Sequence, residues 1–501
     1  MTKLYPFNLL DDCHVQFDET AKWEDYDIDA RELLSYQRFD LFANLIYIRA
    51  YHKQAGLEWA KKVYKARTSA ITGYKLSEPG NENKNNFNDF VTTFNHLIDT
   101  FEETDFDSSK SIVPIDEDNV LIDGAHRVTC AAYFGKKVHV VKIRQKFHKD
   151  LTVPYSFFDV NLCGQSVLDA MAVEYCRWHK NLHVVFIWPK AFASDKKADA
   201  DKVLESSTQV VYRKRLKLGY NSVRNLILEV YHNVPWMGSI EDGFKWSYTK
   251  ADEVYSGNGE MEVVLVDEPR GLDYMVNLKA KLREIYNIGL FSVHSTDTYE
   301  EAYLAANLLF NDNSLHHLDF GHPDRFPKSW KLVMEYRQAL LDSDCNMEDF
   351  IIDSSMPLAL YGIRQAGDLD YLRNKDEKDP VIIENNDKHI ENHDKHIYEY
   401  IYCPENYFVF MGLKVITLKV LHDYKKSRGE KKDLNDIKLM LPYLKSNSSK
   451  WDKRKAEWSS EYRIWKNNAK AKCIDISVKF LNNTHLYIPV RFLYRLLRKS
   501  Q

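Results

Sequence analysis

Asp123, Gly124, His126 and Arg127 fall within five residues in the stretch VLIDGAHRVTCAAYFGKK (120–137), where a short apolar run gives way to a helical pattern. A helix start presents free backbone N–H groups and a partial positive charge, which suits an anion. Gly124 lets the backbone approach a ligand closely. Arg127 offers a planar fork for phosphate oxygens, and His126 can donate a further hydrogen bond or move a proton. Asp123 could hold Mg²⁺ or orient the histidine. The same residues also have a purely structural use, with Asp123 capping the helix and Arg127 in an ordinary ion pair.

A second constellation lies in DFIIDSSMPLALYGIRQAGDLDYL (349–372), which reads strand–helix–strand. Asp368 and Asp370, two residues apart, are expected on one face of a strand, where both could grip one divalent cation. Ser354 and Ser355 form a small-residue turn before the helix, and Pro357 suits its first turn. The alternative is a strand carrying solvated acids.

A third stretch, FSVHSTDTYEEAYLAANLLFNDNSLHHLDFGH (291–322), holds a capped helix, with Glu300 and Glu301 in its first turn. His294 precedes the helix, and Asn313, Ser314, His316 and His317 follow it, so polar groups at both ends could line a cleft beside the D-x-D strand. Adjacent histidines face different ways, which argues against zinc there, and DKHIENHDKH (387–396) matches no established ligand spacing. The tail IPVRFLYRLLRKSQ places Arg491, Arg495 and Arg498 on one helical face and Phe492, Leu493, Leu496 and Leu497 on the other. Such a helix suits an anionic membrane surface, or docking on the protein itself.

The elements that must position these groups alternate. Residues 30–70 carry a helical apolar period, FNDFVTTFNHLIDTFEE (87–103) reads as a helix, and KVHVVKI (137–143) as a strand. SIVPIDEDNVLIDGAHR reads as two short strands joined by the turn DEDN. In the middle, NLHVVFIW, STQVVYRKRL and MEVVLVDE are β-branched runs, with NSVRNLILEVY and YMVNLKAKLREIY as helices between and after them. The fold class expected is multidomain α/β (α+β): 1–150, a middle α/β region over 151–340, a third module over 341–445, and a helical basic tail from 446 to 501.

A length of 501 residues calls for two or three domains, and 44% hydrophobic with 28% charged residues is globular composition. A net charge of −4 excludes a chain that is basic throughout, so no nucleic-acid partner is expected. No run of 18 apolar residues exists, the first residues lack a signal peptide's apolar core, and the seven cysteines form no CxxC pair. A cytoplasmic setting is expected, with the tail at the inner face of a membrane.

DGAHR on a strand-to-helix turn, continued by VTCAAYFGKKVHVV, resembles the ParB/sulfiredoxin superfamily, which includes CTP-hydrolysing partition proteins and free-serine kinases. The resemblance covers roughly 30–145 and implies nucleotide phosphate binding by Gly124, His126 and Arg127, with Asp123 on the metal or as base. Ala125 stands where sulfiredoxins carry cysteine, which removes the sulfinic-acid reductase reading. The family's kinases also need an upstream acid, for which Arg38 and Asp40 are nearest. The 349–372 stretch is similar to the nucleotidyltransferase fold, with Asp368 and Asp370 as catalytic metal ligands and Ser354–Ser355 at the phosphate, although the usual glycine of that turn is missing. KKSRGEKKDLNDIKLM (425–440), with Asp433 and Asp436, resembles the helix following the catalytic strands in that fold. Its third carboxylate should lie on a later strand, with Glu384, Asp387 and Asp394 as candidates. Together the resemblances imply a Mg²⁺-dependent phosphotransferase, kinase or nucleotidyltransferase, using ATP or CTP. Its acceptor would be a small hydroxylated or glycan substrate in bacterial surface-polysaccharide biosynthesis. The alternative is a catalytically degenerate nucleotide-sensing or nucleic-acid-associated regulator.

Overall fold

The computed structural model describes residues 5–10, 15–78, 84–147, 150–378 and 397–444, and a few positions between 476 and 484. The basic tail, the DKHI duplicate and the candidate acids Glu384, Asp387 and Asp394 lie outside the described residues. Two compact units divide the chain, Met1–Leu434 and Asn435–Gln501. Among the described residues no helix is long and apolar enough to cross a membrane.

The first unit holds three small sheets, in line with a mixed α/β architecture. In the first sheet, strand β1 (Lys22–Asp29) pairs antiparallel with β3 (Lys137–Arg144), and β2 (Val113–Ile115) pairs parallel with β3. The helices are α1 (Leu41–Lys53), α2 (Leu57–Ile71), α3 (Phe87–Glu103) and α4 (Ala125–Tyr133). The helical period over 30–70 is thus two helices. Gln54 and Gly56 both adopt left-handed backbone (φ 51° and 66°), ending one and starting the next. Every residue from Leu41 to Ile48 is buried, as an all-round apolar helix requires. Helix α1 packs on α2, α4 and the helix Gln165–Trp178, which joins the DGAHR region to the middle of the chain.

The middle sheet contains β4 (Leu182–Ile187), β5 (Gln209–Lys217), β6 (Glu260–Asp267) and β7 (Val293–Ser295), ordered β5-β6-β4-β7 and antiparallel throughout. One core cluster joins Val185, Ile187, Val264 and Val266 to helices Lys197–Ser207 and Leu272–Tyr286. The third sheet, ordered β10-β11-β8-β9, comprises β8 (Phe350–Asp353), β9 (Asp370–Arg373), β10 (Tyr407–Phe410) and β11 (Leu413–Ile416). Here β8 runs parallel to β11 and antiparallel to β9.

Candidate functional site

The turn before α4 is built as the residue types require. Asp116 accepts from the amides of Asp118 (2.9 Å) and Val120 (2.7 Å), Asn119 takes a left-handed φ of 62°, and Leu121 returns to bridge Ile115. Gly124 then caps α4 with φ 92°, and a Cβ there would lie 3.0 Å from the Arg127 guanidinium. Glycine is needed twice over, for the left-handed backbone and for the arginine packed against it.

Arg127 is spent largely on its own module. It donates to Ser111 Oγ, to the Ile112 carbonyl (3.2 Å) and to Asp123 Oδ2 (3.2 Å), with 26% of its side chain exposed. Asp123 therefore pairs with Arg127 at the mouth of the turn, and the turn's N-cap is Gly124, not Asp123. His126 shares a 2.9 Å hydrogen bond with the Tyr64 hydroxyl of α2 and meets the Phe94 ring of α3 edge-on at 4.5 Å. Burial first, then the charges of Arg67 and Lys84, hold its pKa well below 6.5, and Arg127 adds to this against the opposing pull of Asp40. His126 is thus a neutral imidazole among three cations. It is a hydrogen-bonding group at neutral pH and a weak base.

Behind it lies a buried ion cluster. Arg38 donates to both carboxylate oxygens of Asp40 (2.9 and 3.1 Å), and Arg67 donates to Oδ2 at 2.8 Å. Arg38 also donates to the carbonyl of Leu121, tying α1's approach to the strand that leads into the motif. Burial alone would raise the Asp40 pKa, but the two guanidinium charges outweigh it and hold the carboxyl at about 2. A carboxylate so held is a poor general base, so Asp40 positions Arg67 and does not take up a substrate proton. One turn on, the fully buried Asn44 has neither amide atom hydrogen-bonded, and Arg67 Nε is likewise without a partner. Arg67, Tyr64, Lys84 and Asn44 are functional candidates that the sequence reading missed. Tyr64 and Arg67 come to His126 from α2 and Lys84 from the segment before α3, while Asn44 stands on α1 one turn from Asp40.

In the third sheet the D-x-D expectation needs correction. Only Asp370 lies on β9; Asp368 sits in the bend before it and is exposed, so the two do not share a strand face. The carboxylate that does stand beside Asp370 is Asp353, directly opposite it in the β8–β9 register and buried. Ser354 takes a left-handed φ of 58°, and Ser355 caps the five-residue helix Met356–Leu360 with Pro357 in its first turn. The later strands β10 (YFVF) and β11 (LKVI) carry no acid. Asp433, which could have been merely solvated, is buried against Lys425 (3.0 Å) and Arg428 (2.7 Å). Among the described residues no group of three His, Cys, Asp or Glu side chains could hold a metal ion. A Mg²⁺ site here therefore reduces to Asp353 and Asp370, short of the three-carboxylate set that was expected.

The groups flanking the helix Tyr299–Leu309 are spent on packing, with His316 Nδ1 sharing a 2.8 Å hydrogen bond with the Tyr361 hydroxyl and His317 Nε2 lying 3.3 Å from the Leu360 carbonyl. His294 is pushed down to about 3, by burial first and then by the Lys279 charge. Asn313 donates to the carbonyls of Pro404 (3.0 Å) and Tyr407 (3.1 Å), and Ser314 Oγ accepts from Val409 N at 2.9 Å. His317 stacks on Phe408. These residues dock the helix Asp312–Phe320 on β10.

A cavity of about 630 Å³ opens elsewhere, lined by Arg49 and Trp59 of α1 and α2, Glu174 and Arg177, Tyr303, and Glu348, Tyr402 and Lys414 of the third module. Compared with protein-family models, curated proteins and solved structures, the chain matches none.

Proposed function

We propose that this chain is a nucleoside-triphosphate-dependent phosphotransferase of the kinase type, with the nucleotide phosphates at the start of α4 and a small hydroxylated or sugar acceptor. The observation that carries the reading is the gathering of Arg67, Lys84 and Arg127, ion-paired to Asp40, Glu78 and Asp123 respectively, about a neutral His126 at a glycine-capped helix start. Clustered cations, a dipole end and a neutral imidazole donor are what a triphosphate's oxygens require. Asp123 is the carboxylate at the mouth of this turn. It would hold Mg²⁺ together with phosphate oxygens, since Mg²⁺ takes one or two carboxylates and fills its other positions with phosphate and water. When bound, the ion supplies charge neutralisation on the transferring phosphoryl group. Arg38 and Asp40 act at one remove by fixing Arg67 and the strand before the motif. Bacterial surface-polysaccharide assembly is the setting this reading fits, through the resemblances of both motifs.

Calorimetry with ATP and CTP, with and without Mg²⁺, tests it. Lys84→Ala, a change away from the buried cluster, should weaken binding by about tenfold, the worth of one charge-assisted contact. Unchanged affinity in Lys84→Ala, or no binding of either nucleotide by the intact chain, removes the reading.

A second reading, a nucleotide sensor without turnover, is favoured by one observation. Arg127 is committed to Ser111, Ile112 and Asp123, leaving less of its fork for a phosphate in flight. Nucleotide binding without phosphate release or transfer would select it.

A further inference from the structure

The 630 Å³ cavity lies within the range of small-molecule sites, roughly 300–1,000 Å³, and no residue of the DGAHR turn lines it. Its floor is a chain of ion pairs drawn from three parts of the fold. Arg49 of α1 pairs with Glu174, and Arg177 lies 3.5 Å from Glu174 and 2.9 Å from Glu348. Glu348 also accepts from the Tyr303 hydroxyl (2.7 Å) and from Lys414 (3.2 Å). Lys414 is further fixed by the Glu348 and Ile401 carbonyls, at 2.7 and 3.0 Å. Every charge in this chain is compensated by a neighbour. The lining as a whole carries five Lys and Arg side chains against six Asp and Glu, so no surplus of positive charge awaits an anion.

That balance decides the class of ligand. A phosphate or polyphosphate entering here would have to displace Glu174 or Glu348 from its arginine, leaving a buried carboxylate unpaired at several kcal/mol. Hydroxyl groups face no such penalty, since they donate to carboxylates and accept from guanidinium and ammonium groups already held in place. The aromatic lining supplies the complementary surface. Tyr303 stacks with Tyr299 at 5.9 Å between centroids, Lys53 sits 4.3 Å over the Tyr402 ring, and Trp59 presents a half-buried indole. Flat apolar rings beside fixed donors and acceptors match a ring or chain whose carbons bear hydrogen on one side and hydroxyl on the other.

We infer that this cavity binds an uncharged polyhydroxylated molecule, a sugar or a polyol, between the Trp59 and Tyr303 rings and the Glu174–Arg177–Glu348 chain. The cavity is a second site apart from the turn before α4, and the inference does not rest on the phosphotransferase reading.

The test is saturation-transfer NMR on the full chain without nucleotide or Mg²⁺, using galactose, N-acetylglucosamine and ribitol, with inorganic phosphate and UDP as the anionic arm. At least one uncharged probe should receive saturation. Trp59→Ala should weaken its binding by about tenfold, the loss of one stacking ring, while Trp59→Phe restores most of it. Tyr303→Phe provides a second variant, should Trp59→Ala not fold. Binding of none of the three neutral probes, or UDP or phosphate binding that is lost in Trp59→Ala, overturns the inference. Because nucleotide is absent, failure here leaves the Lys84→Ala calorimetry standing, and failure of that calorimetry leaves this site standing.

Discussion

The Tyr64 hydroxyl and His126 Nε2 lie 2.9 Å apart, joining α2 to the first turn of α4. The contact holds the imidazole in one orientation beside the Phe94 ring while burial and the charges of Arg67 and Lys84 disfavour its protonation. Its pKa lies below the ordinary 6.5 in the folded chain, so below that pH the unfolded chain takes up a proton that the folded one does not. The stability this group contributes is therefore fully present above pH 6.5 and is lost progressively as pH falls toward the folded value. Imidazole ¹⁵N shifts should show His126 neutral at pH 6, and a phosphate-bearing ligand should move its titration upward. Ordinary titration near 6.5 in the free chain would contradict the packing described.

Asp40 gives a prediction of opposite origin. Its carboxyl, held at about 2, compensates two guanidinium groups whose side chains are 8% and 5% exposed. Removing one partner of a buried ion cluster leaves the remaining charge uncompensated, at a cost of about 3–5 kcal/mol. Asp40→Asn should lower the urea-unfolding stability by that much at pH 7. In the wild-type chain the contribution is present above the ordinary carboxylate value of 3.8 and is lost as pH falls from there through about 2.

Gly124→Ala tests the turn itself. The left-handed backbone costs an ordinary residue about 1–2 kcal/mol, and the new methyl meets the Arg127 guanidinium at 3.0 Å. Thermal and urea melts should show a loss of that size. Nucleotide affinity should fall as well, because relief of the contact moves Arg127 away from Asp123 and Ser111.

How much of this was legible beforehand follows the range of the interactions. The strand-to-helix turn at 120–133 was readable because apolar patterning, Gly124 and the helix after it are all local. So was strand–helix–strand at 350–373. The ligand-facing surroundings of His126 were not, since Tyr64, Arg67 and Lys84 reach it across 42 to 62 residues of chain with nothing distinctive in their own neighbourhoods. Two acids at i and i+2 share a face only if both lie on the strand, and the bend at Gly367–Asp368 breaks that condition. Asp353 was overlooked because its partner, Asp370, is set by cross-strand register and not by spacing. The cavity had no sequence signal, its residues being drawn from segments between Arg49 and Lys414.

Glu229 provides a prediction that owes nothing to any resemblance. Its carboxyl sits on the helix Tyr220–Tyr231, with Oε2 accepting from the Met411 amide at 2.9 Å and Oε1 sealed from water without a hydrogen-bond partner. Burial raises its pKa to about 8, against the weaker opposing effects of that amide and of Arg337. Glu229 is accordingly protonated at pH 7, where an unfolded chain would have lost the proton. Between the ordinary 4.5 and about 8 the folded state holds the extra proton, so this group's contribution to stability declines as pH rises through that window and levels off above it. Glutamine keeps the shape and the acceptor for Met411 while abolishing the charge. Glu229→Gln should match the wild type below pH 5 and exceed its stability above pH 8, by on the order of 4–5 kcal/mol. Urea midpoints measured from pH 5 to pH 9 on both proteins check this. Parallel curves would mean that the carboxyl is solvated and that Met411 is held in place by other contacts.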